Sequence, residues 1–188
     1  MVVNLRFVNR RFVDQRSKCS GILAAIFIFI FVCIPALALP PRAVVLDSPW
    51  RFRALNDSGH PGVEQWHDAE VPGVVQMDLL RNKLIADPFY RDNEKSLQWI
   101  GLTDWEYQTE FGVDAATLAR GHIDLLFGGL DTFADVYLND AELLKADNMF
   151  RSWRFSAKDR LHVGKNTLRI VFHSPIALMM PKVKAETC

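Results

Sequence analysis

Between Asp104 and Ser174 apolar and polar side chains trade places at every second position, and nothing else in the chain restricts its fold so tightly. Trp105, Tyr107, Thr109 and Phe111 alternate with Glu106, Gln108 and Glu110. Successive side chains of an extended chain point to opposite faces, so this period sets one face on a core and the other in water. Ile123, Leu125 and Phe127 repeat the pattern, as do Trp153, Phe155 and Ala157, then Leu168, Ile170 and Phe172. Upstream, Trp50, Phe52 and Ala54 alternate with Arg51 and Arg53. Thr132 to Leu138 reads as apolar on both faces, as a central sandwich strand would. Asn139-Asp140 and Gly164-Lys165-Asn166 are turn sequences between these runs. The one helix expected runs from Val74 to Leu84, after the Val71-Pro72-Gly73 turn, with Met77, Leu80 and Leu84 as its apolar stripe. Short strands punctuated by turns, with one short helix, predict an all-β sandwich or barrel.

The first 38 residues predict something separate. Gly21 to Ile34 carries no charge, Arg16 and Lys18 precede it, Pro35 interrupts it, and Ala36-Leu37-Ala38 follows as a small–x–small cleavage pattern. This is the layout of an apolar signal helix, and a span needs about 20 apolar residues. Extending the run to Leu39 leaves a second reading, an uncleaved membrane anchor. Either way residues 39–188 are expected to be exported, with the mature chain starting at Leu39 if cleavage occurs. The chain is neutral overall, with 22 basic and 22 acidic side chains. Removing the leader leaves 17 basic against 21 acidic, a surface with no charge excess to attract nucleic acid. Membrane contact is expected only through an uncleaved leader. Cys19 and Cys33 lie in the leader, so Cys188 alone remains, and no internal disulfide can form. The five His are scattered without metal-ligand spacing, so no metal is expected. Asn56-Asp57-Ser58 fits a glycosylation acceptor in a eukaryotic secretory setting.

Chemical candidates concentrate in the irregular stretch Asp87 to Gly101. Glycosidases require two carboxylates about the scissile bond, which directs attention to Asp92-Asn93-Glu94, although polar residues also fill long loops. Trp99 offers either a stacking platform for a sugar ring or a core side chain; Trp105, on the alternating apolar face, is core. No Gly-x-Ser-x-Gly elbow is present, and Gly128-Gly129 precedes a strand without a following helix, so neither a serine triad nor a phosphate-binding cofactor site is expected.

Six segments in order resemble the N-terminal domain of family 2 glycoside hydrolases, and within them the β-mannosidases. They are Val71–Leu80, Asp87–Glu94, Gln98-Trp99 with Asp104–Tyr107, Gly129–Asp140, Asp147–Phe155 and Gly164–Ser174. The resemblance covers roughly Val44 to Pro175 and implies a jelly-roll, galactose-binding-like β-sandwich. It implies further that both catalytic glutamates lie on a later barrel, which this sequence does not reach, so Asn93-Glu94 is not the family's catalytic Asn-Glu pair. Residues 39–188 are thus expected to form the sugar-binding domain, incomplete at its C-terminal edge and inactive alone. Its expected role is accessory, in an exported enzyme acting on terminal β-mannosides, with the carbohydrate as partner in that full-length setting and no cofactor. Asn93, Glu94 and Trp99 are the expected sugar-contacting residues. A free-standing carbohydrate-binding module and an inactive truncated fragment are the rival readings.

Overall fold

A computed structural model describes residues 43–56 and 58–186. The leader, and with it the expected signal helix, lies outside these residues, as does Cys188. Eight strands run through the described part: β1 (Trp50–Ala54), β2 (His67–Ala69), β3 (Trp105–Val113), β4 (Asp124–Phe127), β5 (Phe133–Leu138), β6 (Ala141–Ala146), β7 (Trp153–Ser156) and β8 (Gly164–His173). Six form one antiparallel sheet in the order β2-β1-β3-β8-β5-β6, and β4 pairs with β7 in a second. Phe52, Tyr107, Val136, Leu168 and Ile170 of the large sheet share one buried cluster with Leu125 and Phe127 of the small one. The mostly-β architecture and its two sheets on one core agree with a galactose-binding-like β-sandwich.

The alternation resolves as expected. Along β3 the inward residues are Trp105, Tyr107, Thr109, Phe111 and Val113. Along β5 burial alternates strictly, so its apolar-looking outer positions Phe133 and Tyr137 are half-buried rather than core; a second layer covers one side of this strand only. Asn139 and Asp140 form the two-residue β5–β6 turn, with φ of 50° and 64°. Two successive left-handed residues match the right-handed twist of the flanking strands, and Asn and Asp tolerate that conformation better than most side chains. The Asn139 amide also reaches Asn166 Oδ1 at 2.8 Å and accepts from Thr167 N at 2.9 Å, tying the turn to the start of β8.

The expectation of one short helix needs correction. α1 spans Val75–Arg81, and three further α-helices occur among the described residues: α2 (Asn93–Ser96), α3 (Ala115–Leu118) and α4 (Pro175–Glu186). α2 and α3 are single turns, too short to carry a periodic signal. α3 is capped by Asp114, whose carboxylate accepts from Thr117 N. α4 is capped by Ser174, whose Oγ accepts from Ala177 N at 3.0 Å, with Pro175 in the first helical position. That Ser-Pro pair is a sequence signal that the strand pattern before it masked. The stripe expected on α1 is corrected in part: Leu84, just past the helix, packs against the core, but Met77 is exposed, and Asp78 and Leu79 are the buried residues of the helix. A carboxylate replaces an apolar residue on the buried face because partners await it. Asp78 accepts from Tyr107 Oη (2.9 Å), Glu70 N (2.9 Å) and Arg81 Nη1 (2.8 Å).

Candidate functional site

Register fixes which loops meet. Ala54 at the end of β1 pairs with Trp105 at the start of β3, Trp105 with Phe172, Phe133 with His173, and Ala134 with Ala146. One end of the large sheet therefore gathers the chain after β1, before β3, before β5, after β6 and after β8. The stretch 87–104 lands there, at the same end as the 147–152 loop and against the start of α4. Phe89 and Phe150, at 90% and 89% exposure, stand out from two of these loops.

Asn93 and Glu94 form the first turn of α2. Asn93 Nδ2 donates to Asp87 O at 2.8 Å, and its own carbonyl accepts from Ser96 Oγ at 2.7 Å, so the side chain closes the loop on itself. Its Oδ1 accepts nothing from the described residues and remains open to a donor. Glu94 is exposed, and its carboxylate makes no ion pair with the described residues. Trp99 lies elsewhere, in the 3₁₀ turn Gln98–Leu102. His60 stacks on its ring at 4.0 Å and 19°, and Trp105 tilts against it at 6.0 Å. Its buried indole N–H has no acceptor among the described residues. The structure thus keeps Asn93 and Glu94 together at the surface and turns Trp99 inward, where a sugar ring could stack only by displacing His60.

Behind this stretch lies a cavity of about 370 Å³, bounded by Val75, Gly101, Trp105, Asp131, His173 and Ser174 among others. Its floor is stitched by Ser174, which donates from Oγ to Gly101 O (2.7 Å) and from N to Asp104 Oδ1 (2.7 Å). His173 bridges two carboxylates, with Nδ1 3.1 Å from Asp104 Oδ2 and Nε2 3.2 Å from Asp135 Oδ2. Both ring nitrogens must donate to use both partners, which requires the imidazolium. Burial pulls the imidazole pKa down, but the hydrogen bonds and charges of Asp104 and Asp135 together outweigh it and raise the group above its ordinary value of 6.5. Asp135 is shared with Lys145 Nζ at 3.5 Å. This cluster escaped sequence reading because its members lie 69 and 38 residues apart.

A raised folded-state pKa makes the clamp's contribution complete below pH 6.5 and diminishing as pH rises through the folded value. Urea midpoints should therefore fall between neutral and mildly alkaline pH in the wild type. His173→Gln should flatten that portion of the curve; an identical slope in the variant would remove His173 as its source.

Among the described residues no cluster of His, Cys, Asp and Glu is placed to hold a metal, and no helix is long and apolar enough to cross a membrane. Residues 50–187 match the family model of the glycosyl hydrolase 2 galactose-binding domain-like domains. The chain belongs to that family. Its relatives include a β-mannosidase B of Thermothelomyces thermophilus, 37% identical over 72% of this chain and 16% of that protein, and a β-mannosidase of Mus musculus, 36% identical over 76% of this chain and 15% of that one. In structure it resembles the β-D-mannosidase of Dictyoglomus thermophilum, with a TM-score of 0.68 and 40% identity over 74% of this chain and 16% of that one. The chain spans about one sixth of the length of these relatives.

Proposed function

We propose that this chain is the accessory, non-catalytic jelly-roll domain of an exported β-mannosidase-like glycoside hydrolase acting on terminal β-mannosides. The observation carrying the reading is the likeness at 36–40% identity to three β-mannosidases, confined to about one sixth of each. In the full-length enzyme the end of the sheet that bears 87–104 forms part of the wall around the terminal sugar. Asn93 Oδ1 accepts from a hydroxyl, Glu94 accepts from another, and Trp99, clasped between His60 and Trp105, holds the stretch in place. The hydrolysis itself belongs to carboxylates elsewhere in that enzyme, acting with retention through a covalent glycosyl-enzyme. Export rests on the leader, and secreted material should begin at Leu39; material still beginning at Met1 would speak for an anchor.

The chain alone should not turn over an aryl β-mannoside, and turnover abolished by Glu94→Gln would relocate the chemistry to this domain. In the full-length enzyme Asn93→Ala should lower kcat/KM by about 1–3 kcal/mol of transition-state stabilisation with the melting temperature unchanged. A lowered melting temperature with unchanged kcat/KM would make 87–101 scaffold only.

A further inference from the structure

The outer face of the large sheet holds a second polar site, away from the loops just described. Arg51 on β1 and Gln108 on β3 are direct register partners, so their side chains lie side by side on that face. They line a pocket of about 280 Å³ together with Pro49, Trp66, Thr109 and Glu110.

The neighbours of this pocket are saturated, while Arg51 and Gln108 in its lining are not. Beside it Glu106, buried beneath the outer face, is held by Arg53 Nε at 2.6 Å and Arg169 Nη1 at 3.3 Å. Those two guanidiniums lie over Trp66 and Tyr137 respectively, at 4.5 and 3.9 Å from the ring centroids. Arg51, by contrast, makes no ion pair with any described residue, although Asp68 is its register partner on β2. The Gln108 amide likewise makes no side-chain hydrogen bond with them. Glu110 is neutralised by Lys165 at 2.7 Å and keeps a carboxylate oxygen for a further donor.

We infer that this pocket binds one ring of a neutral saccharide. A pyranose presents alternating hydroxyl donors and acceptors around a rim and apolar C–H groups on its faces. Arg51 supplies donors only, Gln108 supplies both kinds, Glu110 accepts, and the half-buried indole of Trp66, one face of which lies under Arg53, borders the pocket as an apolar wall. The volume lies just below the roughly 300 Å³ at which ligand sites begin, and so suits a single ring better than a long peptide. An anionic ligand fits less well, because Asp68, the register partner of Arg51 on β2, adjoins the guanidinium it would seek. The inference is independent of the function proposed above, since no residue is common to the two sites.

The test titrates the intact chain with cellotriose and mannotriose as neutral probes and methyl β-glucuronide as the acidic one, followed by saturation-transfer NMR. Saturable binding of a neutral probe is expected, weakened at least about fivefold by Arg51→Ala and by Gln108→Ala, the loss of one hydrogen-bonding side chain in each case. Both positions face outward on the sheet, so these variants keep the test valid even where Trp66→Ala disturbs the β1–β2 edge. Three results would overturn the inference: no saturable binding of either neutral probe, unchanged affinity in both variants, or tighter binding of the glucuronide. Weakening by Asn93→Ala in place of Arg51→Ala would move the signal to the sheet end and overturn it equally.

Discussion

Asp78→Ala should lower the unfolding free energy by about 2–4 kcal/mol, because it strips a buried phenol and a backbone amide of their acceptor, while the half-exposed Arg81 can turn to water. Asp78 is 1% exposed and accepts from three donors, Tyr107 Oη, Glu70 N and Arg81 Nη1. Without it the phenol and the amide lose their acceptor in a place that water reaches poorly, and Arg81 retains only the exposed Glu70. Domains of this size have roughly 5–15 kcal/mol to lose, so the variant should be marginal at room temperature. Tyr107→Phe removes one of the three bonds and should cost about 1.5–3 kcal/mol, the range for a hydrogen bond to a charged group. Burial drives the Asp78 carboxyl above its ordinary value, against the pull of Glu70 N, Tyr107 and Arg81; burial and the nearby Asp78 charge push the Tyr107 phenol well above 10. The phenol therefore stays protonated and donating throughout the neutral range. Urea denaturation of both variants checks the ranking, and an Asp78→Ala loss smaller than that of Tyr107→Phe would mean that the carboxylate is not what the network needs.

Phe52→Ala is the second large loss, at about 3–5 kcal/mol. Phe52 is fully buried and sits among three rings: Tyr107 at 5.6 Å, Trp105 at 5.9 Å and His67 at 5.9 Å. Its removal opens a hole between β1, β2 and β3 that aromatic neighbours, fixed by their own packing, cannot fill. Because Tyr107 touches both Phe52 and Asp78, the two substitutions should not add. Their double variant should depart from additivity by at least about 0.5 kcal/mol, whereas additivity within that margin would mean that Tyr107 does not couple them.

Six of the eight strands were legible in the sequence because a half-buried strand writes its environment at every second residue, as Trp105–Phe111 and Trp50–Ala54 do; β2, three residues long, and β6, mixed in polarity, carry no such alternation. The Asn139-Asp140 turn was legible because few residue pairs accept two left-handed conformations in succession. The α1 stripe was misread for a physical reason: hydropathy penalises a buried carboxylate without knowing that Tyr107, 29 residues away, donates to it. α2 and the 3₁₀ turn after it are too short to impose a period, so 87–101 read as irregular. Asn93 and Glu94 were found as polar loop residues, but Trp99 could be placed only once His60 was seen stacked on it. The Asp104–His173–Asp135 clamp and the Arg51–Gln108 pair exist through strand register, which local sequence does not encode.

The place of β8 in the large sheet also bears on how the domain comes into being. β8 pairs with β3 on one side and β5 on the other, and is the strand that joins the β2-β1-β3 half to the β5-β6 half. On the ribosome β3 emerges well before residues 164–173 exist, and at about 5–20 residues per second it waits on the order of seconds with one edge unmet. The β5–β6 hairpin can close locally in that interval, while β3 cannot complete its pairing. Assembly of the large sheet is therefore a late event, gated by translation of β8, and the interval before it is when nascent chains are most open to chaperones and to one another.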